Sequence, residues 1–161
     1  MPAALREFLT REHDRLHSLL GACLHGAEGT WEASYAEFRA GLLRHMAIEE
    51  RVLFPELRKR GVGVQIEQQL HRDHAALAAL LVPPPSRVEL EQIAAILTTH
   101  NEIEENDSGL YALVESLAGD ELDSLMTRLH AIPEVRVAPH VDNAKVRGAI
   151  DALLRERLVS Y

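Results

Sequence analysis

Two stretches of this chain each occur twice. Residues 12–20 (EHDRLHSLL) and 73–81 (DHAALAALL) share the pattern acid-His-x-x-Leu-x-x-Leu-Leu. Residues 45–50 (HMAIEE), followed by LFPEL at 53–57, match residues 100–105 (HNEIEE), followed by LYALV at 110–114. The repeat aligns His13 with His74, His45 with His100 and Glu49 with Glu104. Breakers divide the copies: Gly26 to Gly29, Gly61 to Gly63, Pro83-Pro84-Pro85, Gly119 and Pro133. Four helices are expected between them, over 3–25, 31–59, 65–82 and 87–117. Thr30 is placed to cap the second, Ser86 with Glu89 to form a capping box on the fourth, and Pro55 to kink the second near its end. A helix pair repeated in this way predicts an all-α chain, an up-down-up-down four-helix bundle with additional C-terminal helices. Composition agrees, since 161 residues suit one core and aromatics are only 4% of the chain. Residues 1–132 are read as the bundle domain and 133–161 as a connector and a C-terminal amphipathic helix.

At about 100° per residue, His45 and Glu49 lie only about 40° apart, on the stripe carrying Phe38, Leu42, Val52 and Leu53. His100 and Glu104 share a stripe with Ile93, Ile96, Leu97 and Ile103. His13 sits beside Leu9, Leu16 and Leu20, and His74 beside Leu70, Leu77 and Leu81. All six therefore point into the core. Two carboxylates buried in this way would be costly unless they neutralise a cation. Four imidazoles and two carboxylates form a mixed N and O donor set that suits iron or manganese better than calcium. With two histidines for each of two ions and both glutamates bridging, each ion keeps open positions for solvent bridges and small ligands.

The order His, His-x-x-x-Glu, His, His-x-x-x-Glu resembles the hemerythrin-like, or HHE cation-binding, family over roughly residues 5 to 118. The resemblance implies His13, His45, Glu49, His74, His100 and Glu104 as ligands of two non-haem iron ions with an oxo or hydroxo bridge, for which manganese or zinc can substitute. It further implies binding of, or reaction with, dioxygen, peroxide or nitric oxide, in a sensor, scavenger or store. Oxygen-carrying members have a fifth histidine on the third helix and an aspartate five residues after the last histidine. Here the third helix offers His71 at a different spacing, and the plus-five residue is Glu105, so a reversible oxygen carrier ranks lower.

Other residues receive blander expectations. His17 and His71 are expected at the rim or in solvent, and Glu50 and Glu105 on solvated faces. Asp107 and Tyr111 lie within about 20° of His100 on a continuous helix and are candidates to hydrogen-bond the ligands from outside. Cys23 is read as a packed, inert thiol and Trp31 as a packing anchor. A net charge of -8 gives no electrostatic reason to approach nucleic acid. No stretch approaches the roughly 20 apolar residues of a membrane span. With a single cysteine and no exported-type start, a soluble cytoplasmic protein is expected. Glu-x-x-His and His-Glu-x-x-His do not occur, which sets aside a ferritin-like oxidase and a common type of zinc hydrolase. A helical interaction module with structural or no metal stays as the alternative. Its working part would be the amphipathic helix over 142–160, bearing Val146, Ile150, Leu153, Leu154 and Leu158. That helix could pack on the bundle, pair two chains as a homodimer or meet another partner.

Overall fold

Glycine and proline stop the helices close to where the sequence puts them. The computed structural model describes residues 4–26, 29 and 31–159. Its helices are α1 (Ala4–His25), α2 (Glu32–Ile48), α3 (Phe54–Arg60), α4 (Val64–Leu80), α5 (Arg87–Glu105), α6 (Leu110–Ala118), α7 (Leu122–His130) and α8 (Ala144–Leu158). Gly61 takes the left-handed conformation at φ 63° and its N–H closes the last turn of α3 on Arg58 and Leu57, a conformation that costs glycine least. Ser86 and Glu89 form the expected capping box at the start of α5. Thr30 lies outside the described residues. No strand occurs among the described residues.

The two copies of the His-x-x-x-Glu helix are both interrupted just after the glutamate, where one continuous helix was expected in each case. In the first copy the chain opens into a π-turn over Glu49–Leu53, closed by Phe54 N–H on Glu49 O, before α3 begins. Pro55 supplies the reason: it has no N–H to give back, and its ring would press on the carbonyl one α-turn earlier. In the second copy the helix stops. Asn106 turns extended, its side chain takes up the Glu102 carbonyl at 2.8 Å, and its Oδ1 receives the Ser108 N–H at 2.9 Å. Gly109 then passes so close to the carbonyls of Ile103 and Glu104 that a Cβ there would collide with both. The expected helix over 87–117 is thus two helices, α5 and α6.

Helix α1 packs on α2 and α5, and α4 packs on α5 and α8, giving the up-down-up-down bundle with helices added at its C-terminal end. The apolar interior forms two clusters. One contains Leu16, Leu20, Phe38, Leu42, Leu77, Leu80, Ile93 and Ile96. The other contains Leu5, Leu9, Val52, Leu53, Leu57, Leu70, Leu110 and Leu125. In α1 the change from one cluster to the other falls at His13, in α2 at His45 and Glu49, in α4 at His74, and in α5 at His100 and Glu104. A polar layer therefore crosses the bundle at one level. Helix α7 buries Leu125 and Leu129 in the second cluster. Helix α8 sets Ile150, Val146, Leu153 and Leu154 on the first, leaving Leu158 exposed.

Candidate metal centre

The polar layer holds His13, His45, Glu49, His74, His100 and Glu104, all buried, with both glutamates at 0% exposure. One ligand atom from each of His13, His45, Glu49 and Glu104 lies within 4.8 Å of the other three, and the same holds for Glu49, His74, His100 and Glu104. The two glutamates belong to both groups. Their oxygens divide cleanly between them. Glu49 Oε1 lies 3.0 Å from His45 Nε2, and Glu49 Oε2 lies 3.0 Å from His74 Nε2. Glu104 Oε2 lies 3.1 Å from His13 Nε2, and Glu104 Oε1 lies 2.7 Å from His100 Nε2.

These close pairs are not all hydrogen bonds. Glu49 Oε2, His74 Nε2 and Glu104 Oε1 are buried and lack a hydrogen-bond partner among the described residues. Nitrogen and oxygen donors brought together in this way are what a shared cation would satisfy, and a desolvated oxygen left unpaired is costly. The imidazoles are oriented to match. His13 Nδ1 contacts Glu105 Oε1, His74 Nδ1 lies 2.8 Å from Glu50 Oε1, and His100 Nδ1 lies 3.1 Å from Asp73 Oδ2. With Nδ1–H donated outward to a carboxylate, each Nε2 lone pair faces the centre. The residues present fit a pair of N and O coordinated cations.

The metal-free cluster is strongly polarised. Burial alone would raise the Glu49 carboxyl, but the His45 and His74 rings hold it well below the usual range. Burial and the Glu49 charge push Glu104 up, and His100 with His13 bring it down past its ordinary value. Burial opposes protonation of His13, yet its hydrogen bond to Glu104 and the charges of Glu104 and Glu49 raise it to about 8. For His100 the same opposition is outweighed by Glu104 and Asp73, giving about 10. His74 is raised by Glu49 and Glu50 against its own burial. Protonated imidazoles offset the buried carboxylates in this state, and a cation would compete with those protons.

Tyr111 reaches this layer from the start of α6. Its hydroxyl lies 2.7 Å from Glu49 Oε1, 2.9 Å from Glu104 Oε2, 3.0 Å from His13 Nε2 and 3.2 Å from His45 Nε2. It touches the inward atom of every member of the first group. Burial and the two carboxylates push its pKa well above the ordinary tyrosine value, so the hydroxyl keeps its proton and donates.

Several outer residues fall elsewhere than expected. Glu50 and Glu105 do not stand in solvent: they are 27% and 34% exposed and turn to His74 and His13 on neighbouring helices. The rotation of about 140° away from their own histidines carries them to the seam with the next helix. Asp107 is 96% exposed and pairs with Arg6 at 3.0 Å, because α5 has already ended before it. His17 is exposed, as expected, and His71 is 65% exposed with Nδ1 2.9 Å from Glu50. Cys23 is buried, and burial raises its thiol pKa.

Asp73 and Arg157 were missed. Asp73 is fully buried and accepts a hydrogen bond from Arg157 Nε at 2.9 Å while contacting His100. The signal for Asp73 was its place as the acid before His74. For Arg157 it was a cation in phase with Ile150, Leu153 and Leu154 on an apolar stripe.

No described helix is long and apolar enough to cross a membrane. No curated protein and no solved structure matches the chain. A family model described as the hemerythrin HHE cation binding domain matches residues 4–118, from the start of α1 to the last residue of α6.

Proposed function

The chain belongs to the hemerythrin HHE cation-binding domain family, and from that premise we propose that it holds two non-haem iron ions and binds or reacts with dioxygen, peroxide or nitric oxide as a sensor, scavenger or store. The division of each carboxylate between two histidine groups carries this reading: Glu49 and Glu104 each present one oxygen to either side. His13 and His45 would hold one ion, His74 and His100 the other, and both glutamates would bridge them. Residues 1–132 would form this metal-binding domain, with 133–161 as connector and amphipathic helix. Iron supplies one-electron chemistry and open positions for an oxygen or nitrogen ligand.

The chain's own residues set the surroundings. The apolar clusters on both faces of the polar layer lower the local dielectric, which strengthens the charge interactions within it. Glu105, Glu50 and Asp73 fix the rings of His13, His74 and His100. Tyr111 keeps a proton against Glu49 and Glu104 on the His13 side only. Because His71 is exposed and engaged by Glu50, four histidines rather than five serve the ions, which favours open positions over a dedicated carrier.

Anaerobic purification with metal analysis, and optical spectra before and after admission of air, tests the proposal. About two irons per chain and an air-dependent spectrum are expected. Stoichiometric zinc with no iron uptake on anaerobic reconstitution would overturn it.

A further inference from the structure

A cavity of about 420 Å³ opens between α1, α2 and α5 and ends on the rings of His13, His45 and His100. Its size does not suit the smallest ligands. A water occupies about 30 Å³ of liquid volume, and dioxygen, peroxide and nitric oxide are of that order, so the space is roughly tenfold too large for any of them. It falls within the range of pockets that take small organic molecules, about 300–1,000 Å³.

Gly21 gives a second, independent sign. It lies in the interior of α1, where glycine costs about 1 kcal/mol relative to alanine. A Cβ there would meet nothing within 4 Å, and the backbone is not left-handed, so neither packing nor conformation asks for glycine. Gly41 is the contrast: a Cβ at that position would meet Arg15 Nη2 and Leu16 Cδ2 at 2.9 Å. Gly21 is one of the lining residues, so a larger side chain there would take up space in the cavity.

The lining specifies the occupant. Leu16, Leu20, Leu42 and Leu97 supply aliphatic wall. Among the described residues no phenyl, phenol or indole ring is present to stack on a flat ligand, and no Asp, Glu, Lys or Arg lines the space. The buried imidazoles of His13, His45 and His100 close one end, half-buried Asn101 stands beside His100, and His17, His25 and Thr98 are exposed along the open side. We propose that this cavity binds a medium-length aliphatic molecule with an oxygen-donor head, the head meeting the His13, His45 and His100 end and the chain lying along the leucines. The placement of the head rests on the metal-pair reading above.

Straight-chain carboxylates from acetate to octanoate, titrated into the iron-loaded protein by calorimetry, test this. Affinity should rise by up to about fourfold per methylene, equal to about 0.8 kcal/mol, until the cavity is full. Gly21→Leu, or Ala94→Leu from the α5 wall, should flatten the series and leave both acetate affinity and iron content unchanged. Gly21→Ala should fold at least as well as the parent and keep most of the series. Equal affinity from acetate to octanoate in protein that holds iron overturns the ligand class and leaves the metal reading standing. A series that persists through both filling variants overturns the location. Protein that takes up no iron, yet shows a series abolished by Gly21→Leu, overturns the metal reading and keeps the aliphatic occupant.

Discussion

Tyr111 and Phe54 occupy matching places in the two copies of the repeated helix pair, each one residue after the first leucine of the matching segments LYALV and LFPEL. Phe54 stacks on His74, with ring centroids 5.7 Å apart and planes at 13°. Tyr111 stands 5.7 Å from His13 at 37° and sends its hydroxyl among the ligand atoms. The two halves agree in a second respect, because the residue after each shared glutamate reaches across to the other copy: Glu50 to His74 and Glu105 to His13. They part in the residue before the α1 and α4 histidines. Asp73 meets His100 and is itself fixed by Arg157. Its counterpart Glu12 turns to Arg15 at 3.3 Å, and His45 Nδ1 has no hydrogen-bond partner among the described residues. Duplication set a symmetric ligand frame, and single residues around it made the halves unequal. One half has a proton donor at its centre and an imidazole whose Nδ1 has no partner among the described residues; the other has an aromatic wall and a ring fixed through α8.

The largest expected effect breaks the comparison by removing what the halves share. Glu49→Ala or Glu104→Ala should take iron from about two per chain to near none, and retention of a full single ion after either change would refute sharing. Asp73→Asn should act on one half alone, weakening the ion beside His100 by about 10–100-fold, the usual cost of losing an outer partner of a ligating histidine. Glu12→Gln should leave both ions in place, so equal losses from the two variants, measured by competition with a chelator, would erase the asymmetry. Tyr111→Phe makes the first half resemble the second. It removes a donor from two buried carboxylates and should lower stability of the metal-free protein by about 1–3 kcal/mol, read by denaturant unfolding.

The effect of pH should differ in sign between metal-free and loaded protein. His13 at about 8 and His100 at about 10 are raised above their unfolded value near 6.5. Their contribution to the metal-free fold is fully present below pH 6.5 and is lost as pH rises through about 8 and then about 10. In the loaded protein protons compete with metal for the same nitrogens, so its melting temperature should fall as pH drops below neutrality. Parallel melting curves from pH 5 to 10 would contradict both assignments. The smallest effect is expected from His17→Ala and His71→Ala, which should leave iron content near the parent value. If His71→Ala loses iron as fully as His74→Ala, the second half contains a fifth histidine.

The gathering of the six central residues was legible because two facts coincided, the internal repeat and the phase of each histidine and glutamate with an apolar stripe. Spacing along a helix reports the interior without needing to know which helices are neighbours. Residues acting between helices were not legible in the same way. Glu50 and Glu105 point away from their own histidines, and only the approach of the π-turn to α4 and the packing of α5 on α1 show that another copy's histidine waits there. The break after Glu105 has its signal in Asn106, Asp107, Ser108 and Gly109, a turn-forming run between HNEIEE and LYALV. The π-turn had only Pro55 to announce it, and a proline predicts a distortion without its form.

The polar layer that divides the apolar interior also divides the molecule's cooperativity. Each cluster draws on one end of all four long helices, so either end can open without exposing the other. Metal-free protein should then show two levels of amide exchange protection, one for each end. Ions held at the boundary would join the two ends into a single unit that opens only as a whole.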